Sequence, residues 1–354
     1  MAKNNSEDSD AHVEPEELDA ECAEQFREQL GDDAVVEMLR KMVLLRRFEE
    51  HAGRSYQRRK IRGFCHLYSG QEAVAVGSIK AAGDDDYIIG HYRDHGHALA
   101  AGMEPKVAMA ELFGKKTGCA GGKGGSMHLY DVERNFMGGW GIVGGQIPLG
   151  AGLAFAINYR GDDTACIAYL GDGAVHQGVV HEALNMASLW GLPLITIVEN
   201  NEYAMGTAVE RVSSTTELEK KADSHGIYSE VVDGQDVFQV YDAVERARKR
   251  AIEDDEPSWL HVRTYRYYGH SMTDPAPYRG KDEVEEQRDL RDPIVRLRGW
   301  MIDEDIVTQD QIDEIDDEME AVVKDAIEFA DNSDFPDESE LTTHVYAQWS
   351  GEID

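Results

Sequence analysis

Two apolar runs in the middle of the chain, each leading to a polar side chain, constrain its fold more than any other feature. The first run covers residues 164–170 and leads to Asp172, and the second covers 193–199 and leads to Asn201. Residues of about 176–190, between the runs, have the apolar spacing of an amphipathic helix. Strand, helix and strand in this order predict two neighbouring parallel strands whose carboxyl ends meet at one edge of a sheet. We therefore expect Asp172 and Asn201 to lie side by side.

The rest of the chain extends this unit into a larger α/β pattern. Val179, Ala183, Ala187 and Trp190 are expected to form the buried face of the 176–190 helix. A glycine-rich region covers residues 118–152. Further elements are expected as helices within 16–30 and 35–59, a strand at 228–232, a helix at 237–253 and a strand at 259–267. Alternating strands and helices predict a doubly wound, mostly parallel sheet flanked by helices.

The charge distribution suggests how the chain is divided. The formal net charge is −34, of which residues 1–34 contribute −10 and residues 301–354 contribute −18. We predict an acidic N-terminal extension at 1–34, a single α/β domain at 35–330 and an acidic tail at 331–354. Within the domain, an exposed mobile loop is expected at about 275–292 and a helical part at 293–330. Such acidity argues against a nucleic-acid partner. Either ordinary solubility or adaptation to high salt would account for the acidity.

The composition also bears on the compartment. No apolar run approaches the length of a membrane span, and the acidic N-terminus has the features of neither a secretory signal nor a transit peptide. Cys22, Cys65, Cys119 and Cys166 are scattered without a CxxC pair, which predicts reduced thiols. We expect a cytoplasmic protein without a membrane partner.

The side chains at the two predicted strand ends indicate a metal site. A carboxylate oxygen of Asp172 and the amide oxygen of Asn201 are ligands that Mg²⁺ accepts, and Mg²⁺ commonly completes its coordination with phosphate oxygens. The backbone amides around Gly173 and Ala174 precede a helix and suit an anion. The sequence therefore predicts a magnesium–diphosphate anchor at this edge of the sheet.

The segment that carries these residues, "GDGAVHQGVVHEALNMASLWGLPLITIVENNEYAMGT", closely resembles the thiamine diphosphate motif of one enzyme family. The family is that of the E1 α subunits of 2-oxo acid dehydrogenase complexes, and the similarity covers about residues 35–300. Further matching segments are "GFCHLYSGQEAVAVG" (63–77), "YRDHGHALA" (92–100), "GKGGSMHL" (122–129), "GGWGIVGGQIPLGAGLAFA" (138–156) and "YRYYGHSMTDP" (265–275). The resemblance implies the thiamine diphosphate-binding fold.

The resemblance also implies roles for individual residues. The magnesium ligands would be the side chains of Asp172 and Asn201 and the backbone carbonyl of Tyr203. Cofactor contacts and active-site histidines would come from His66, Tyr92, Arg93, Gly141, Val143, Gly173, Ala174, Asn201 and His270. Among these, Tyr92, Arg93, Gly173 and Ala174 would hold the diphosphate, Gly141 and Val143 would contact the aminopyrimidine ring, and His66 and His270 would be catalytic. A histidine titrates near neutral pH, so it suits proton transfer or diphosphate binding.

The activity implied is oxidative decarboxylation of a small 2-oxo acid, with transfer of the acyl group to the lipoyl group of an E2 acyltransferase. Pyruvate is the substrate that the resemblance favours, and a branched-chain 2-oxo acid or acetoin remains an alternative. The carboxylate that contacts the aminopyrimidine lies on a separate β subunit in this family. We therefore expect an incomplete site that is finished by an E1 β subunit in an α2β2 heterotetramer.

Two interpretations from other classes stay open. A magnesium-dependent phosphohydrolase would use Asp172 but leaves Asn201 and the histidine motifs unexplained. A non-catalytic regulatory subunit would retain the fold, although intact Asp172, Asn201, His66 and His270 argue against it. Ser271 follows His270 in a loop similar to one that is phosphorylated in mitochondrial relatives, but "DPAPYRG" lacks a second serine before its tyrosine, and we expect a structural role.

Overall fold

The central feature of the computed structural model is a parallel sheet. The model describes residues 16–345, so residues 1–15 and 346–354 of the predicted acidic extension and tail lie outside the described residues. The strands are β1 (Tyr87–His91), β2 (Phe136–Trp140), β3 (Cys166–Gly171), β4 (Leu194–Asn200), β5 (Tyr203–Ala204), β6 (Thr207–Ala208), β7 (Tyr228–Asp233) and β8 (Ser258–Arg263). Six of them form one parallel sheet in the order β2-β1-β3-β4-β8-β7, and β5 and β6 form a small antiparallel pair.

Helices cover both faces of this sheet. They are α1 (Ala20–Leu30), α2 (Asp32–Gln57), α3 (Glu72–Ala81), α4 (His95–Ala100), α5 (Pro105–Leu112), α6 (Gln146–Arg160), α7 (Gly178–Trp190), α8 (Val209–Val212), α9 (Val237–Glu253), α10 (Lys281–Arg291), α11 (Pro293–Asp303) and α12 (Gln309–Asn332). In β3, Ala168 and Leu170 belong to the core under α6 and α7, whereas Ile167 and Tyr169 belong to the core that includes α2, α3, α9 and α12. This alternation is that of a strand buried on both faces, and the predicted α/β fold class is confirmed.

The predicted N-terminal boundary at residue 34 does not coincide with an edge of the core. Phe26 of α1 is buried, and its ring centroid lies 5.2 Å from that of Phe238 and 4.7 Å from that of Tyr241, both on α9. Ala23 and Phe26 are three positions apart and so share one side of the helix, which gives an otherwise acidic segment an apolar face. The described part of the predicted extension is therefore packed onto the domain.

The segment predicted as a loop at 275–292 contains α10, so this part of the prediction is wrong. Gly280 precedes the helix, acidic residues occupy its first turn, and Arg288 and Arg291 occupy its last turn. This arrangement of charge favours a helix. No residue of α10 is buried, and the apolar periodicity that reveals other helices is therefore absent from its sequence.

The predicted buried face of the 176–190 helix is also partly wrong. Ala183 and Ala187 are buried as expected, but Val179 and Trp190 are exposed. The inward side is completed by Val180 instead, because the helix is rotated relative to the predicted face. Val179 and Trp190 therefore contribute apolar surface on the outside of the molecule.

Two further properties follow from the described chain. None of the four cysteines forms a disulfide, and all four lie within the described residues. Between residues 16 and 345, no helix is both long enough and apolar enough to span a bilayer.

Candidate functional site

The site lies where β1, β3 and β4 end. β1 has β2 on one side and β3 on the other, so the strand order reverses between β1 and β3, and ligands bind at such a point in open α/β sheets. A cavity of about 200 Å³ lies there. The predicted site residues that line it are Tyr92, Arg93, Val143, Asp172, Gly173, Ala174, Asn201 and Tyr203, and His91 and Arg266 lie among them.

Asp172 is buried at the end of β3 with an unsatisfied oxygen. Its Oδ2 atom has no hydrogen-bond partner among the described residues. Burial raises the pKa of this carboxyl to about 6, and the positive charge of Arg266 opposes that rise. An uncompensated carboxylate is costly in a buried position, and a bound cation would remove that cost.

The other two predicted metal ligands share one neighbour. Arg266 is buried, and its Nη1 atom donates to the Asn201 side-chain oxygen at 3.1 Å and to the Tyr203 backbone oxygen at 3.0 Å. Each of these oxygens keeps a second lone pair. Together with Asp172 Oδ2, they form a set of hard oxygen donors that fits Mg²⁺.

The backbone cradle beside these oxygens, at residues 173–174, requires glycine at its first position. A Cβ atom on Gly173 would lie 2.6 Å from the Cβ of Ala204, so a side chain at this position would clash. Tyr92 is half-buried, and within the described chain its hydroxyl has no hydrogen-bond partner. The amides at residues 173–174 and the Tyr92 hydroxyl are therefore available to an anion.

Arg93 also makes two backbone hydrogen bonds that the sequence did not predict. Its Nη1 atom donates to the backbone oxygen of Leu67 at 2.6 Å, and its Nη2 atom donates to that of His270 at 2.8 Å. Burial and the nearby charge of Arg266 lower the pKa of Arg93 to about 10, so it remains a cation at neutral pH. Arg93 thus joins the segments that carry the two predicted catalytic histidines, and its remaining donors can reach an anion in the cavity.

The two histidines lie together beside Tyr92. The His66 and His270 ring centroids are 5.2 Å apart, and each lies within 6 Å of the Tyr92 centroid. Both Nδ1 atoms are buried without a partner among residues 16–345. Burial, followed by the charge of Arg93, lowers the pKa of His66 to about 2 and that of His270 to about 4. Both rings are therefore neutral at neutral pH.

The remaining predicted contacts lie at an open edge of the site. Gly141 does not line the cavity, whereas Val143 does. Val143 is exposed, and Ile142 between them is 76% exposed. The site is therefore open to solvent on the side that leads into α6. Ser271, by contrast, is buried, and its hydroxyl lies 2.9 Å from that of Thr273.

Sequence reasoning missed a buried carboxylate next to the site. Glu199 precedes the two asparagines at the end of β4, and its oxygens contact His91 Nε2 at 2.5 Å, His97 Nε2 at 3.0 Å and the Tyr68 hydroxyl. His91 Nδ1 in turn accepts the backbone N–H of Arg93 at 3.1 Å. The position of Glu199 at the end of an apolar run, in "ENN", was the sequence feature that could have indicated this carboxylate. Its partners, however, lie about a hundred residues away in the chain.

Comparison with known proteins identifies the family of the chain. The model of a family described as "Dehydrogenase E1 component" matches residues 40–339. A protein of Rickettsia felis named "Pyruvate dehydrogenase E1 component subunit alpha" is 50% identical over 313 residues, which cover 88% of this chain and 95% of the relative. A Rhizobium meliloti protein of the same name is 50% identical over 306 residues, which cover 86% and 88% of the two chains. The mitochondrial alpha-1 subunit of Oryza sativa subsp. japonica is 47% identical over 313 residues, with 88% and 80% covered.

Proposed function

The chain belongs to the dehydrogenase E1 component family, and we propose that it is the α subunit of a pyruvate dehydrogenase E1 enzyme. The relatives' names support pyruvate as the substrate. The observation that carries the proposal is the unpaired, buried oxygen of Asp172 beside the oxygens of Asn201 and Tyr203. A hard cation at this position would place a diphosphate against the cradle at Gly173.

The cofactors proposed are Mg²⁺ and thiamine diphosphate. Asp172, Asn201 and the Tyr203 carbonyl would hold the metal, because these residues line one cavity and offer hard oxygen donors. The diphosphate would be held by Tyr92, Arg93 and the amides at residues 173–174. Gly141 and Val143 would contact the aminopyrimidine through their backbone. When bound, the cofactor supplies the electron sink for decarboxylation.

The chain's own residues then position groups and move protons. His66 and His270 enter the reaction neutral, so their Nδ1 atoms can accept a proton from the substrate side and return it. Arg93 fixes the two rings relative to each other, because it donates hydrogen bonds to the backbone of both chain segments that carry them. A diphosphate nearby would raise the pKa of both rings toward the neutral range, where proton transfer in both directions is efficient.

A partner chain is required to complete the site. Among the described residues that line the cavity, Asp172 is the only carboxylate, and its role at the metal leaves none for the aminopyrimidine. α6, which follows the open edge at residues 141–143 in the chain, and α7 expose an apolar surface. We call it the outer face, and it consists of Phe155, Tyr159, Met186, Leu189 and Trp190.

The aromatic residues of the outer face are arranged as one patch. The Phe155 centroid lies 6.4 Å from that of Tyr159 and 5.6 Å from that of Trp190, although Tyr159 is 83% exposed. A patch of this kind marks a protein interface. We propose that a β subunit covers it, brings the missing carboxylate to residues 141–143 and forms an α2β2 assembly. The lipoyl-bearing E2 acyltransferase would receive the acetyl group, and the four free thiols support a reducing, cytoplasmic location.

Reconstitution tests this function. The chain is purified with and without a β-type partner. Decarboxylation of pyruvate and of a branched-chain 2-oxo acid, and carbon–carbon bond cleavage of acetoin, are measured with and without thiamine diphosphate and Mg²⁺. The expected result is pyruvate decarboxylation that requires the partner and both cofactors. A comparable rate from the chain alone, or phosphate release from phosphate esters without thiamine diphosphate, would contradict the proposal.

A further inference from the structure

A turn after α2 carries three exposed arginines that have no ion partner among the described residues. We call Arg58, Arg59 and Arg62 the arginine ridge. The flanking cations Arg54 and Lys60 are paired with Glu50 and Asp331, whereas no carboxylate of residues 16–345 lies within ion-pair distance of the ridge. The whole chain has 69 acidic and 35 basic residues. Three such cations within five residues give this turn a local positive charge.

The turn holds the ridge in a defined position. The backbone N–H groups of Arg58, Arg59 and Lys60 bond back to the last turn of α2, and Ile61 is buried as an anchor. Arg59 has a φ of +62°, in the left-handed region that side chains other than glycine seldom adopt. Such conformations persist where the surrounding structure imposes them, and they concentrate at binding sites.

A groove lies beside the ridge. It has a volume of about 610 Å³, and its walls include Arg59, Arg62 and Met272. The backbone N–H of Met272, two residues after His270, donates to the Cys65 backbone oxygen at 2.9 Å. Phe64 is 61% exposed, and its ring centroid lies 6.1 Å from that of His66. The groove beside the ridge is therefore formed by the chain segments that carry His66 and His270.

We propose that the arginine ridge is the docking surface for an acidic protein domain that carries the acyl acceptor into the site. The inference rests on the proposed function and adds the surface and the charge of the partner. A chain with a net charge of −34 repels an acidic domain over most of its surface. The ridge is the local exception, because arginine forms paired hydrogen bonds with carboxylates. The exposed ring of Phe64 offers the apolar contact that is typical of such interfaces.

The test uses the reconstituted enzyme with its β partner. The variant combines Arg58→Glu, Arg59→Glu and Arg62→Glu, and Lys249→Glu, an exposed cation on α9, is the matched control. Two reactions are compared: acetyl transfer to a purified lipoyl-bearing domain, and decarboxylation with a small soluble oxidant as acceptor. We expect the triple variant to raise KM for the domain by about tenfold or more, with kcat and the small-oxidant reaction unchanged, because rim charges act on encounter. The control should change neither reaction.

Other occupants of the ridge give different results, and each would overturn the proposal. An equal rise in the KM for pyruvate in both reactions would show that the ridge attracts the small substrate anion. Loss of the α2β2 assembly, measured by light scattering, would show that the β subunit covers it. An unchanged KM for the domain would also contradict docking. If the wild-type enzyme does not decarboxylate pyruvate at all, the proposed function fails instead.

A milder variant keeps the test decisive if the triple reversal does not fold. Arg58→Gln and Arg62→Gln each remove one charge from an exposed side chain and preserve much of its length. Each variant is expected to raise the KM for the domain by about twofold to threefold. The KM should also depend less on salt concentration than in wild type, because salt screens exposed charges beyond about 3 Å at 1 M. A salt dependence equal to that of wild type in both variants would contradict docking.

Discussion

Arg266 donates a hydrogen bond from Nη1 to the side-chain oxygen of Asn201 at 3.1 Å. The same guanidinium donates to the backbone oxygens of Tyr203 and Met205, each at 3.0 Å. Arg266 therefore holds the segment after β4, whose Asn201 and Tyr203 line the same cavity as Asp172. Such outer contacts orient the direct ligands of a metal.

The first prediction concerns this orientation. Arg266→Gln should lower the affinity for Mg²⁺ about tenfold or more, which is the usual cost of losing an outer-shell partner. It should also raise the pKa of Asp172 further, because the charge that opposes the rise is gone. The measurement is a Mg²⁺ titration of thiamine diphosphate binding to the reconstituted enzyme. Arg263→Gln, an exposed arginine at the end of β8, is the control. Unchanged or tighter Mg²⁺ binding in Arg266→Gln would contradict this role.

The second prediction concerns Glu199. Hydrogen bonds and charge from His97 and His91 hold the pKa of this buried carboxyl well below its usual range. A depressed folded-state pKa contributes stability that is present above the unfolded value of about 4.5 and is lost as the pH falls below it. Glu199→Gln should therefore cost about 1–3 kcal/mol of unfolding free energy at neutral pH and flatten the loss of stability on acidification. It should also weaken thiamine diphosphate binding, since His91 positions the Arg93 backbone.

Chemical denaturation of the isolated chain between pH 3 and pH 7.5 checks this prediction, because the loss on acidification lies below about pH 4.5. Isothermal titration of the reconstituted enzyme checks the cofactor affinity. Glu253→Gln is the surface control, because Glu253 is exposed at the end of α9. Equal stability of Glu199→Gln and wild type across this pH range would show that the carboxylate network has no energetic role.

The third prediction concerns the segment 275–292. The hydroxyls of Tyr203 and Tyr265 both donate to Glu283 Oε1, at 3.0 and 2.7 Å, so α10 is tied to the residue whose backbone would bind the metal. We expect trypsin to cut at Lys281 and Arg288 more slowly once thiamine diphosphate and Mg²⁺ are bound. The double variant Tyr203→Phe and Tyr265→Phe keeps the Tyr203 backbone carbonyl, so it should bind cofactor but lose this protection. Equal cutting rates with and without cofactor in the wild type would refute the coupling.

The fourth prediction concerns the outer face of α6 and α7. Phe155→Asp combined with Trp190→Asp should prevent association with the β subunit, because central aromatic residues of an interface commonly contribute about 2 kcal/mol or more each. Sedimentation analysis of the mixed chains measures the assembly. Val295→Asp alters an exposed apolar residue on α11 and should leave assembly intact. Normal assembly of the double variant would place the interface elsewhere.

The part of the fold that follows from local pattern was predictable. β3, α7 and β4 carry strong apolar signals, and their order brings Asp172 and Asn201 to one cavity, as expected. β1 and β2 were not predicted, because each has five residues and contains glycine. Apolar periodicity also assigned Val179 and Trp190 to the core. Sequence alone does not distinguish apolar residues that pack inside the chain from those on its outer surface.

Contacts between distant segments were not predictable in the same way. His91 and His97 share a contact with Glu199, which lies about a hundred positions away in the chain. Arg266 lies within a motif that was noticed, but no spacing rule links it to Asn201. These contacts depend on how the sheet brings strand ends together, and that arrangement becomes visible only in three dimensions.

The central claim is that Asp172 holds a metal that binds a diphosphate. Because its folded-state pKa of about 6 is above the ordinary 3.8, the metal-free protein loses stability as the pH rises through this interval, and a proton competes with the metal below about pH 6. Asp172→Asn keeps the shape and removes the charge.

The most direct measurement is calorimetric titration of thiamine diphosphate into the reconstituted enzyme, with and without Mg²⁺, at pH 7.5 and pH 5.5. Wild type is expected to bind only with Mg²⁺ and more weakly at the lower pH, and Asp172→Asn is expected to lose Mg²⁺-dependent binding at both. Binding that is independent of Mg²⁺, or equal in wild type and Asp172→Asn, would contradict the account.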